Sequence, residues 1–250
     1  MNESAHIRFE GADLGYNKTA VLKDVTCRIG QGEVIGMVGP NGSGKTTFLR
    51  TLLGLVPPLG GTVKVDRSRR FAYVPQLEEV NLFWPLTVRE TVCLAQRSKR
   101  AFGRVSEEEC ARVDNAMRKV GISPIADMLF RETSGGQRQK TMLAQALSQE
   151  PDVLLLDEPT RGLDVVAERD FLKIVEGLRS KKLTLFIVSH TLHIPLNYTE
   201  KILLFHAGRV VEATPDELLS TKVLDTIYGV PFFHHNDSGI RWAGPKRGGE

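Results

Sequence analysis

The stretch Glu33–Val56 reads EVIGMVGPNGSGKTTFLRTLLGLV. It passes from a short apolar run through a glycine-rich turn into helically spaced apolar residues, the order strand, turn, helix. Within it, Gly39–Thr46 is GPNGSGKT and fits the pattern G-x-x-x-x-G-K-[ST]. Glycines at such a turn let successive backbone N–H groups face inward around an anion, and the helix N-terminus adds the positive end of its dipole. Lys45 then reaches the terminal phosphates and the Thr46 hydroxyl is suited to Mg²⁺. The implied ligand is a nucleoside triphosphate, bound by Gly39, Pro40, Asn41, Gly42, Ser43, Gly44, Lys45, Thr46 and Thr47. A dinucleotide reading fails, because Thr47 stands where GxGxxG needs its third glycine.

On the N-terminal side, IRFEGADLGY and VLKDVTCRI alternate as strands do, so a β-rich section is expected from His6 to Ile29. Further strands are expected at 61–65 and 71–75. From about Thr87 to Glu150 the spacing turns helical, as in VSEEECARVDNAMRKVG and QRQKTMLAQALSQ. PDVLLLDEP and LTLFIVSH then read as strands buried on both faces, with a helix from about Val166 to Arg179 between them, which makes a βαβ unit in a parallel sheet. KILLFHAGRVVEA reads as a hairpin about Ala207 and Gly208, followed by two short helices led by Thr214 as cap and Pro215. The polar, glycine-rich end HHNDSGIRWAGPKRGGE is expected to be a poorly ordered tail over 231–250.

Polar residues gather where apolar strands end, which is where ligands collect in open parallel sheets. Asp157 and Glu158 close LLLLDEP. Neighbouring strand positions face opposite ways, so Asp157 is assigned to Mg²⁺, through water, and Glu158 to the base that activates a water at the γ-phosphate. Gln76 closes FAYVPQ and is suited to the metal or the attacking water. His190 closes LFIVSH and is suited to bonding the γ-phosphate. In FRETSGGQRQK (130–140), Ser134 followed three residues later by Gln137 has the form of a capping box, so Ser134 is read as the N-cap of a helix through Ala146. Its first N–H groups, uncluttered at Gly135 and Gly136, form a second anion site.

Taken in order, GPNGSGKTT, YVPQ, TSGGQRQK, VLLLDEPTRGLD and IVSH resemble the nucleotide-binding subunits of ATP-binding cassette (ABC) transporters over about Arg8 to Tyr228. The resemblance implies an α/β fold: a P-loop ATPase core with a mostly parallel sheet, an N-terminal antiparallel β subdomain and an inserted helical subdomain at about 87–150. It implies one ATPase domain over 1–230. Tyr16, in LGY, matches the aromatic residue that stacks on adenine, Gln76 the loop residue that links nucleotide to the membrane partner, Gly162 to Asp164 the loop after the acid pair, and His190 the switch histidine. It further implies that Ser134, Gly135, Gly136 and Gln137 meet the γ-phosphate of ATP held by a second copy, so that a homodimer sandwiches two ATP with Mg²⁺. Thr133 replaces the usual leucine of the signature, and activity is expected to survive that change; Thr191 replaces the aspartate that often follows the histidine, a departure that bears only on the support of the His190 loop.

The 250 residues carry 33 Lys and Arg against 30 Asp and Glu, and no basic stripe, so nucleic acid is not an expected partner. The apolar runs are strand-sized, so no membrane span is expected. Cys27, Cys93 and Cys110 fit no CxxC spacing and are expected as reduced thiols. His234 and His235 alone are too few ligands for a metal site. Under the resemblance, the chain works at the cytoplasmic face of the membrane on separate permease subunits, with an extracytoplasmic substrate-binding protein in the same system. YVPQLEEVNLFWPLTVRETV and TIYGVPF are most similar to the subgroup serving manganese, zinc or iron uptake. The competing reading is a soluble ABC-type ATPase in protein assembly without transport.

Overall fold

Tight turns set the register of the first strands. In the computed structural model, which describes residues 5–79, 85–97, 106–180, 182–220, 223–237 and 240–246, β1 (Ala5–Tyr16) and β2 (Thr19–Gly30) pair antiparallel with Tyr16 opposite Thr19. The two turn residues, Asn17 and Lys18, have φ of 48° and 66°. Positive φ at both centres is the turn whose twist matches paired strands. The chain divides into two compact units, Met1–Arg67 with Thr184–Glu250, and Ser68–Leu183.

In the first unit, β3 (Val34–Val38) leads through the glycine turn to α1 (Lys45–Leu52), and β4 (Gly60–Val65) then joins the free edge of β1. This three-stranded sheet, in the order β2-β1-β4, is the expected antiparallel section. All five residues of β3 are buried, as a strand covered on both faces requires. Phe48 of α1 stacks on Phe9 of β1 with ring centroids 4.5 Å apart. It is fully buried, so truncating it to alanine removes about 3–5 kcal/mol of stability. The helix that opens at the glycine turn is thereby fixed to the sheet beside it.

The second unit holds β5 (Phe71–Val74), α2 (Val88–Arg97), α3 (Glu107–Lys119), α4 (Gly135–Leu147), β6 (Val153–Asp157) and α5 (Val165–Gly177). β5 and β6 pair in parallel, so this unit extends past the expected helical section on both sides. Buried side-chain bonds hold the helices in register. Gln96 of α2 donates to the Ser148 carbonyl at 2.6 Å, and Gln145 of α4 donates to the Thr91 carbonyl at 2.8 Å. Part of the YVPQLEEVNLFWPLTVRETV stretch, residues 80–84, lies outside the described residues.

Back in the first unit, β7 (Thr184–Val188), α6 (His193–Tyr198), β8 (Lys201–His206) and β9 (Arg209–Ala213) follow. β3 runs parallel to both β7 and β8, while β9 turns back antiparallel on β8. Two short helices come next, α7 (Pro215–Ser220) and α8 (Val223–Tyr228). The expected tail is then corrected: β10 (Phe232–Asp237) and β11 (Ile240–Pro245) form an antiparallel hairpin. Phe232 is buried with Leu196, Leu218 and Leu224, and the Asn197 side chain makes a reciprocal pair with the Arg241 backbone, at 2.9 and 2.8 Å. One buried aromatic and a satisfied amide offset the ordering entropy that composition alone suggested would win.

All three cysteines are free thiols. Burial, with the negative charge of Glu212 adding to it, pushes the Cys27 thiol up to about 12, so it stays neutral and unreactive at physiological pH.

Candidate nucleotide site

The first unit builds a phosphate cradle. Gly44, with φ 104°, is the N-cap of α1 and gives it no side-chain cap, so the first-turn N–H groups are left for another acceptor. A side chain on Gly44 would bring its Cβ within 2.7 Å of Leu22, and one on Gly39 within 2.4 Å of the Phe205 carbonyl oxygen. Only glycine lets the backbone pass there. Lys45 Nζ donates to the carbonyls of Gly39 at 2.6 Å and Pro40 at 2.9 Å, which holds the ammonium across the turn. Ser43 N closes the turn on the Pro40 carbonyl, while the Ser43 hydroxyl is buried and has no partner. A buried hydroxyl beside uncapped N–H groups and an ammonium fits a phosphate.

Two other predicted residues stand near this cradle. Arg50 of α1 donates to the Tyr16 hydroxyl at 3.4 Å, which ties the aromatic ring to the same helix. β7 pairs with β3 up to Met37 opposite Val188, so His190 and Gly39 each lie two residues beyond that last pair. His190 is exposed. Its loop is braced by Ser189, whose hydroxyl accepts from Thr191 N at 3.1 Å and lies 2.9 Å from the Thr191 hydroxyl. Thr191 therefore supplies local support at the position where aspartate is usual.

The second unit carries the acid pair. Asp157 is the last residue of β6, is buried, and accepts from the Tyr73 hydroxyl of β5 at 2.9 Å. Glu158 lies beyond the strand with φ 44°. Strand alternation therefore does not separate the two carboxylates; a left-handed turn does, at about 1–2 kcal/mol for a residue with a Cβ. Arg161 N donates to the Glu158 carbonyl at 3.1 Å, with Pro159 at the turn's second position. The turn brings the Arg161 guanidinium within 3.5 Å of Glu158 and within 3.2 Å of Gln76 Oε1. Gln76, Asp157 and Glu158 are thus gathered with two residues that sequence reasoning missed, Tyr73 and Arg161. The proline turn was the available signal for Arg161; nothing local marked Tyr73.

Ser134 caps α4 as expected: its hydroxyl accepts from Gln137 N at 3.3 Å and the Gln137 side chain accepts from Ser134 N at 2.9 Å. Asp164 caps α5, accepting from Val166 N and Ala167 N at 2.9 and 2.8 Å. A Cβ on Gly136 would sit 3.0 Å from that of Ala167, and one on Gly135 3.7 Å from Leu163. Signature and following loop are therefore neighbours. Thr133 is buried with its hydroxyl donating to the Phe130 carbonyl at 2.7 Å, so the replacement of leucine leaves no unsatisfied group.

The sequence profile of the family described as ABC transporter matches residues 22–161. The chain belongs to the ABC transporter family. As an ABC ATPase subunit, it binds and hydrolyses ATP. It is 30% identical to the manganese transport system ATP-binding protein MntB of Bacillus subtilis, over 89% of this chain and 92% of the relative. It is 35% identical to the ferric enterobactin transport ATP-binding protein FepC of Escherichia coli, over 92% and 90%. Its fold matches a solved metal-chelate type ABC transporter in an inward-facing conformation at a TM-score of 0.87, covering 98% of this chain and 99% of that one, at 22% identity. No helix among the described residues is long and apolar enough to cross a membrane.

Proposed function

We propose that this ABC ATPase drives a separate membrane permease that imports metal ions or metal chelates. Two copies close around two ATP molecules, Lys45 of one copy and Ser134 of the other meeting each nucleotide. The observation that carries the nucleotide assignment is the uncapped start of α1 with the unpartnered Ser43 hydroxyl beside it. Tyr16 stacks on the adenine, and Gly39–Thr47 wrap the phosphates. Thr46 and Asp157 would hold Mg²⁺, a hard ion suited to oxygen ligands, and the ion would supply charge neutralisation at the phosphates. Glu158 accepts the proton of the attacking water, Gln76 orients it and His190 bonds the γ-phosphate.

Exposed apolar surface supports pairing of copies. Val165 and Val166, beside Asp164, are 85% and 60% exposed, as residues covered by a second subunit are in a single chain. The relatives named for manganese and ferric enterobactin transport support a metal or metal-chelate cargo, and with it a position on the cytoplasmic side of the membrane and an extracytoplasmic binding protein. Co-purification from detergent-solubilised membranes tests the transport reading. A polytopic membrane protein is the expected companion; recovery of soluble partners alone would sink it in favour of an assembly ATPase.

A further inference from the structure

Arg161 reaches two residues of the reaction centre at once. Its Nη1 lies 3.5 Å from Glu158 Oε2 and donates to Gln76 Oε1 at 3.2 Å, while Nε lies 3.4 Å from Glu78 Oε1. The contact is built by the backbone turn from Glu158 to Arg161, which places side chains three residues apart on one side. The Glu158 side chain is 8% exposed and the Arg161 side chain 47% exposed, so a buried carboxylate is paired with a cation that reaches solvent. A carboxylate and a glutamine carbonyl tied to one guanidinium are fixed in orientation, so turning either one toward a water requires that shared contact to change.

We propose that Arg161 is a resting-state restraint on hydrolysis. It holds Glu158 and Gln76 together away from the attacking water, and turnover requires it to release both. Glu78, on the outer side of the guanidinium, remains as its partner after release. Arg161 acts through Glu158 and Gln76 and is a positioning residue, not a catalytic one. The inference rests on the reading of Glu158 as the base.

The test uses the purified full-length chain without its permease. Arg161→Ala is expected to raise basal kcat about two- to five-fold, the scale of a partly exposed ion pair, with KM for ATP unchanged. Arg161→Lys, which keeps the charge, stays near wild type. Hydrogen exchange of the 156–163 segment in the nucleotide-free chain becomes faster in Arg161→Ala and does not change in Arg161→Lys. A kcat that is unchanged or lower in Arg161→Ala, or exchange that does not alter, overturns the restraint. Glu158→Gln is measured beside it: wild-type turnover in that variant removes the base reading itself. An inactive Glu158→Gln with an unresponsive Arg161→Ala removes only the restraint.

Discussion

Two helices begin at glycines and begin differently. α1 starts on a left-handed Gly44 with no side-chain cap, next to a buried serine hydroxyl that has no partner. α4 starts on Ser134 with both halves of a capping box in place. A buried hydroxyl without a partner costs about 1–3 kcal/mol, and phosphate oxygens are what the N–H groups and ammonium at the α1 start fit. The α4 start satisfies its own donors in part and keeps Gly135 exposed. One terminus leaves its first donors open to a ligand, and the other meets part of its own within a capping box.

Substitutions can break each side of this comparison. Lys45→Ala has the largest expected effect: steady-state phosphate release falls at least about 100-fold, the scale for losing a donor aimed at developing charge. Gly44→Ala comes next. It forces a Cβ onto a φ of 104° and against Leu22 at 2.7 Å, so urea unfolding is expected to show a loss of about 2 kcal/mol, with ATP binding weakened in parallel. Ser134→Ala removes half of the capping box and costs about 1 kcal/mol by the same measurement, without weakening ATP binding to the single chain. Gly135→Ala is the mildest. Its Cβ would meet Leu163 at 3.7 Å, an ordinary contact, and stability is expected to change by less than about 0.5 kcal/mol.

The contrast was legible in the sequence because both helix starts are local motifs. GPNGSGKT and SGGQ fix their geometry within eight residues, and their hydrogen bonds are made to their own backbone. The same holds for the buried runs of β3, β6 and β7, whose apolar character admits little besides a doubly covered strand. What escaped reading depends on contacts that spacing does not encode. Tyr73 meets Asp157 because β5 and β6 are adjacent in space, although the residues are 84 apart in sequence. Arg241 finds Asn197 across 44 residues, and without that pair the polar segments that form β10 and β11 read as a loose end. Glu158 was read as a strand neighbour of Asp157; its left-handed φ belongs to the turn at Pro159, which aims the carboxylate at Arg161.

The most direct measurement of the two-copy site compares ATP affinity with ATP-driven self-association in Ser134→Arg, by equilibrium binding and by sedimentation on the same preparation. The predicted result is single-chain ATP binding close to wild type, with dimer formation and turnover abolished. Collapse of ATP binding itself in this variant would contradict the assignment, since Ser134 would then belong to the nucleotide site of its own chain.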